Sequence, residues 1–374
     1  MVPVPLDYVK RLRYETVMSQ DESKSGEQSR RVGIREVARL AGVAPMTVSR
    51  ALSFPHLVSP ETREKVDAAV RLTGYIPNKL ASSFSSNHTR TIGAIIPTLR
   101  NSVAAAFTDG LRNTLRLHGY HVLLGNSDFE PVDEEALISE FLARRVDGIY
   151  LTGSTHTDRT RRMLRDNRIP TVEIASLPED PIDMAVGFSN FGAAYAVTRM
   201  LASQGFRKIA LFTTFTRHNE RQSERREGFR RAVAEFGLDD DPQLMDEVAM
   251  DLKQAALHLR QLLDRRPDIE ALFCTGDFIA VGVLLEAQRL GLRVPEDLAI
   301  AGFDGMEIAD NLNPSLTTVQ IPRYEIGARA GTMLLDRING IRPPQAVVDM
   351  GFEIVPGQST ARSILAGQEA DKVR

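Results

Sequence analysis

Residues Gly33–Ala51, GIREVARLAGVAPMTVSRA, decide the fold of the amino-terminal part of this chain. Ile34, Val37, Ala38 and Leu40 recur at helical spacing and predict a short helix with one apolar face. Gly42 permits a sharp turn. Pro45-Met46-Thr47-Val48-Ser49-Arg50 then opens a second helix with Val48 turned inward. The pattern is that of a helix-turn-helix, whose second helix enters the major groove of DNA; taken alone, the same residues also fit an ordinary helical hairpin.

A third helix completes a small helical unit over residues 32–77. It is predicted from Ser59-Pro60-Glu61, with a hydroxyl cap, a proline in the first turn and an acid at the positive helix end. Val66, Ala69, Val70 and Leu72 supply its inner face, and Gly74 ends it. So few apolar residues make a marginal core. Before this unit, residues 1–31 are polar and aperiodic, which predicts a disordered arm. After it, residues 78–89 form a linker rich in Ser and Asn, with Leu80 and Phe84 spaced i, i+4. By itself this linker is too short and polar for a stable helix, and docking on a partner would make it one.

The whole chain has 374 residues, 43% hydrophobic and 25% charged, with a formal net charge of −3. It is long enough for several domains and is not a general polyanion binder, so DNA affinity has to come from a local basic surface. Arg30, Arg31, Arg35, Arg39, Arg50, Arg63, Lys65, Arg71, Lys79 and Arg90 outnumber Glu36, Glu61, Glu64 and Asp67 near the start. The one cysteine, Cys274, excludes an internal disulfide and a cysteine-rich zinc site, and reads as a packed small hydrophobe. There is no run of about 18 apolar residues and no basic-then-apolar leader, so no membrane is expected and the cytoplasm is the expected compartment. Nothing matches a nucleotide-binding glycine loop or a metal-ligand spacing, so neither cofactor, metal nor enzymatic turnover is expected.

From Thr91 onward strands and helices alternate. One set runs from Ile92-Gly93-Ala94-Ile95-Ile96 to Thr171-Val172-Glu173-Ile174, a second from Lys208-Ile209-Ala210-Leu211-Phe212 to Leu298-Ala299-Ile300-Ala301. Such alternation predicts parallel sheets covered by helices in two similar lobes, with a ligand beyond the carboxyl ends of the strands in the cleft between them. Transport proteins that bind solutes share this two-lobed plan, but Gly33–Ala51 and the missing leader oppose that reading.

The chain resembles the LacI/GalR family of transcription regulators. The segments that carry the resemblance are EVARLAGVAPMTVSRAL, VSPETREKV, GYIPN, PNKLASSFSSNHTRTIG, ERREGF, CTGDFIAVG, LRVPEDLAIAGFD and Pro314–Val319, in this order, so it runs from Gly33 to about Gly357. Within the family it is most similar to repressors of gluconate utilisation, through Leu151–Thr157, Ala185–Phe191 and Gly351-Phe352. The resemblance implies a small all-α helix-turn-helix head plus an α/β two-lobed, periplasmic-binding-protein-like effector domain over residues 90–374. It also implies a homodimer on near-palindromic double-stranded operator DNA, and repression controlled by a small sugar acid, gluconate or a relative. Another sugar, a co-repressor or an activating role are the alternatives.

Carried over residue by residue, the resemblance assigns base contacts to Pro45, Met46 and Arg50, and backbone contacts to Thr47 and Ser49. A core methionine and a solvated arginine are the alternatives for Met46 and Arg50. Asn78, Lys79, Leu80 and Phe84 fall in the family's hinge helix. Phe84 stands where the family carries a leucine that wedges into the minor groove; the alternative is packing against the body. For the effector, Arg225 matches a position for polar or anionic groups and Asp304 one for hydroxyls. Thr98, Asn101, Thr152 and His156 follow strands and line the cleft by position. His156 pairs with an effector carboxylate or is a plain loop histidine. Gly276 replaces an asparagine of some sugar-binding members, and Asp277, which follows it, also reads simply as a helix N-terminal charge partner. Arg217–Arg221 reads as a solvated loop. Ala361–Arg374 is too short and charged for a further assembly helix.

Overall fold

A computed structural model describes residues 32–76, 88–100 and 102–361 of the chain, which divides into two units between Asn87 and His88. The expected arm, the hinge residues Asn78, Lys79, Leu80 and Phe84, the cleft residue Asn101 and the carboxyl-terminal tail all lie outside the described residues.

The first unit holds three helices, α1 (Ile34–Ala41), α2 (Pro45–Ser53) and α3 (Pro60–Thr73). Gly42, at φ 67°, ends α1 in the left-handed conformation that the turn requires. The Ser59 hydroxyl accepts a hydrogen bond from the Thr62 N–H at 3.3 Å and caps α3, which Gly74 ends at φ 65°. Val37, Ala38, Ala41, Val48, Ala51, Val66 and Ala69 are buried together. Leu40 and Leu72, expected inside, are exposed instead, at 42% and 77%. Both sit about 110° from the centre of the buried stripe, at 100° per helical residue. The mainly Val and Ala core keeps the helices close with little apolar mass.

The second unit is two α/β lobes. The first lobe is an all-parallel sheet in the order β11-β5-β4-β3-β1-β2, where β1 is Thr91–Ile96, β2 His121–Asn126, β3 Gly148–Thr152, β4 Thr171–Ile174, β5 Met184–Gly187 and β11 Val347–Asp349. Helices α4 (Val103–Leu117), α5 (Pro131–Ala143), α6 (Asp158–Asp166) and α11 (Arg323–Ile338) accompany it. The second lobe is a parallel sheet in the order β7-β6-β8-β9, from Met245–Glu247, Ile209–Thr213, Ala271–Cys274 and Ala299–Ala301. Its helices are α7 (Asn190–Ser203), α8 (Glu220–Phe236), α9 (Leu252–Arg265) and α10 (Asp277–Arg289). Strands β3 to β6, β8 and β9 are buried almost throughout, as parallel strands covered on both faces must be.

The chain passes between the lobes after β5, again between β10 (Thr318–Gln320) and α11, and a third time between β11 and β12 (Glu353–Val355), which pairs antiparallel with β10. The late elements α11 and β11 complete the first lobe, not the second. Glycines bring helix backbones together: a Cβ on Gly327 would stand 1.9 Å from the Phe107 carbonyl oxygen, and one on Gly228 2.2 Å from that of Phe191. Phe188, Phe303, Val319 and Ile321 carry one continuous core from lobe to lobe.

Candidate functional site

Helix α2 presents its first turn outward. Met46 is 71% exposed while Val48, two residues on, is fully buried, so Met46 is not a core methionine. Pro45 and Arg50 are exposed as well, and Thr47 and Ser49 are half-buried. No side chain caps the helix start: Pro45 has no N–H, and the Thr47 and Val48 N–H groups donate to the Ala44 carbonyl at 2.9 and 3.2 Å. Arg39, Arg63 and Lys65 are each tied to an acid on their own helix, at 2.5, 3.7 and 2.7 Å. Arg50 has no such ion pair among the described residues.

Beyond the carboxyl ends of the strands, the lobes enclose a cleft. Thr98, Thr152, Arg225 and Asp304, all expected there, line it. So do Arg221, Arg323, Asn219 and Gln222, with Phe129 and Phe188 among the apolar walls.

Arg225 is built in tightly. Its Nε donates to Asn190 Oδ1 at 2.9 Å, and Nη1 donates to the Thr275 carbonyl at 2.7 Å. The guanidinium lies 3.7 Å from the centre of the Phe303 ring, a cation–π contact, and Nη1 is 3.7 Å from Asp304 Oδ1. Burial lowers its pKa to about 10 against the opposing pull of Asp304, so it stays charged at neutral pH. Burial likewise raises the Asp304 carboxyl, with Arg225 opposing. Asp304 holds φ at 107°, a conformation side chains avoid, fixed by its N–H donating to the Val319 carbonyl at 3.1 Å.

Asp277, the first residue of α10, is more than a charge partner for the helix N-terminus. Its Oδ1 accepts from the Thr318 hydroxyl at 2.6 Å and its Oδ2 from the Met306 N–H at 2.7 Å, which ties α10 to the segment after β9. Burial, then repulsion from Asp304, pushes its pKa up to about 7.

His156 stands elsewhere than expected. It does not line the cleft, and its side chain is fully buried between two glutamates. Nδ1 is 2.6 Å from Glu134 Oε1, and Nε2 is 3.2 Å from Glu173 Oε1. Burial works against the imidazolium, but the two carboxylates outweigh it and raise the pKa to about 9. A histidine held by two carboxylates is a structural cation, not a ligand for a third.

The Arg217–Arg221 run also departs from expectation. Glu220 and Arg221 are the first residues of α8 and lie between the lobes. Glu220 accepts the Ser154 N–H at 2.8 Å, the Thr155 hydroxyl at 2.6 Å and the Ser176 hydroxyl at 2.7 Å, all donors from the first lobe. Burial alone would raise its pKa, yet Arg221 and these donors bring it to about 2. Nearby, Phe129 of the first lobe meets Phe215 of the second edge-on, ring centres 4.9 Å apart. One signal was present in the sequence: Arg221 precedes Arg225 by four residues, so the two share a helix face.

Residues 33–78 match the model of bacterial regulatory proteins of the lacI family, and residues 198–360 that of a periplasmic binding protein-like domain. The chain is 36% identical over 332 residues to the HTH-type transcriptional regulator GntR of Escherichia coli K12, covering 89% of this chain and 99% of that protein. The chain belongs to the LacI family. Its members' plan, a helix-turn-helix head and a two-lobed α/β body like a periplasmic binding protein, is the plan of this fold. The regulator IdnR of the same organism is 33% identical over 333 residues, with 89% of this chain and 99% of that protein covered. A LacI-family transcriptional regulator from Silicibacter pomeroyi superimposes with a TM-score of 0.83 at 29% identity, covering 88% of this chain and all of that one. As a LacI-family member this chain is a DNA-binding transcriptional regulator. Among the described residues, no helix is long and apolar enough to cross a membrane.

Proposed function

We propose that this LacI-family protein is a repressor whose hold on a near-palindromic operator is released by a small sugar acid, gluconate or a close relative. It acts as a homodimer in the cytoplasm. The observation that carries the effector class is the charge of the cleft: Arg221, Arg225 and Arg323 line it against the single carboxylate of Asp304. A carboxylate makes charge-assisted bonds with these arginines that a neutral sugar would forgo. Asp304, with Thr98 and Thr152, serves the hydroxyls.

On the DNA side, the exposed tip of α2 supports the assigned roles. Met46 contacts an apolar base edge such as a thymine methyl, Arg50 a guanine, and Thr47 and Ser49 the phosphates. Asn78, Lys79, Leu80 and Phe84 supply the hinge, with Phe84 as the minor-groove wedge. Effector acts by differential affinity, favouring the lobe arrangement in which the hinges do not form.

The test is a gel shift on the DNA flanking the gene, titrated with gluconate. Release of the complex is expected, and Arg50→Ala should abolish selective binding. No response to any sugar acid at millimolar concentration, or a tighter complex, would overturn the reading.

A further inference from the structure

Among the arginines of the cleft, Arg225 is poorly placed to take a carboxylate with both arms of its fork. Its Nε is committed to Asn190 and its Nη1 to the Thr275 carbonyl, and its face is covered by Phe303. Arg323 likewise gives Nη2 to the Gly305 carbonyl at 2.7 Å. Arg221 differs. It lines the cleft one helical turn before Arg225, its side chain is only 12% exposed, and its charged neighbour is Glu220 at 3.7 Å. That neighbour's oxygens are already engaged by Ser154, Thr155 and Ser176.

Beside it, Asn219 lines the same cleft at 4% exposure, and its Oδ1 is a buried acceptor without a hydrogen-bond partner among the described residues. Such an orphan is costly unless something donates to it.

We propose that Arg221 is the residue that reads the effector's carboxylate, and that Asn219 Oδ1 takes the hydroxyl next to it. This rests on the sugar-acid reading of the cleft. The carboxylate lies across the free edge of the Arg221 guanidinium in a two-bond fork, the arrangement that distinguishes an acid from the corresponding polyol. Arg225 is then a positioning residue that stiffens the wall and contributes charge. Glu220 holds the start of α8 against the first lobe, so Arg221 reaches its place only when the lobes are together. Specificity for an acid and closure of the cleft thereby depend on adjacent residues.

The experiment uses the full chain and calorimetric titration with two probes, D-gluconate and D-glucitol, which carries a CH₂OH where gluconate carries its carboxylate. Wild type should bind gluconate at least tenfold more tightly than glucitol. Arg221→Gln should lose at least tenfold in gluconate affinity and Arg221→Lys should recover part of it. The operator affinity of the unliganded variants and their affinity for glucitol should stay at wild-type values. Undiminished gluconate binding by Arg221→Gln overturns the inference, as does an equal loss of affinity for glucitol. Equal affinity of wild type for both probes overturns it too. Failure of wild type to bind any sugar acid overturns the effector reading itself, a result distinct from the others.

Discussion

Replacing Glu220 with glutamine keeps the size of the side chain and removes the charge that three first-lobe donors converge on. Against its burial, Arg221 beside it and then these donors bring the wild-type carboxyl from the ordinary 4.5 to about 2. That difference corresponds to about 3 kcal/mol of stability at neutral pH. A second route agrees. Glutamine's single oxygen cannot accept all of the Ser154, Thr155 and Ser176 donors. Its amide hydrogens would face one of them, and losing one hydrogen bond to a charged group while leaving a donor unmet costs about 2–4 kcal/mol. The sign follows from the depressed value: the contribution is complete above pH 4.5 and is lost as pH falls toward 2. At pH 3 about 1.4 kcal/mol of it should remain. Urea unfolding followed by circular dichroism, on wild type and Glu220→Gln at pH 7 and pH 3, measures both differences. A gap below about 1 kcal/mol at pH 7, or one that does not shrink at pH 3, would refute the idea that this carboxylate clasps the lobes.

Other outcomes hinge on single contacts. His156→Gln should destabilise the body by about 3–5 kcal/mol, because Glu134 and Glu173 lose their shared cation. The wild-type contribution is present below pH 6.5 and lost as pH climbs through about 9, so alkaline melting curves of wild type and variant should converge. Gly228→Ala places a methyl 2.2 Å from the Phe191 carbonyl oxygen, and thermal unfolding should show a loss of about 3 kcal/mol as α7 and α8 are pushed apart. Cys274 is fully buried and its thiol is raised well above the ordinary range, so a disulfide reagent at pH 8 should modify it only after denaturation. Rapid modification of the native protein would contradict the packing of β8.

What the amino-acid sequence determined by itself is what depends on neighbours along the chain. Gly42 and Gly74 end helices, Ser59 caps one, and alternating apolar strands and helices imply parallel sheets whatever surrounds them, because these are local backbone and periodicity effects. The exposed tip of α2 was legible for the same reason, since burial of Val48 turns Met46 outward on one short helix. The strand-end positions of Thr98 and Thr152 were also legible because a parallel sheet brings its carboxyl ends to one side, whereas Arg225 and Asp304 were legible only through the family resemblance. Tertiary structure alone decided the rest. No local pattern states that β11, three residues long, rejoins a sheet begun more than 250 positions earlier. Nor does it state that His156 turns away from the cleft between acids drawn from α5 and β4, or that Glu220 reaches across to loops after β3 and β4. Each of those arrangements joins charges far apart in sequence. Their burial and pairing become defined only when the lobes have formed and water has been excluded from between them.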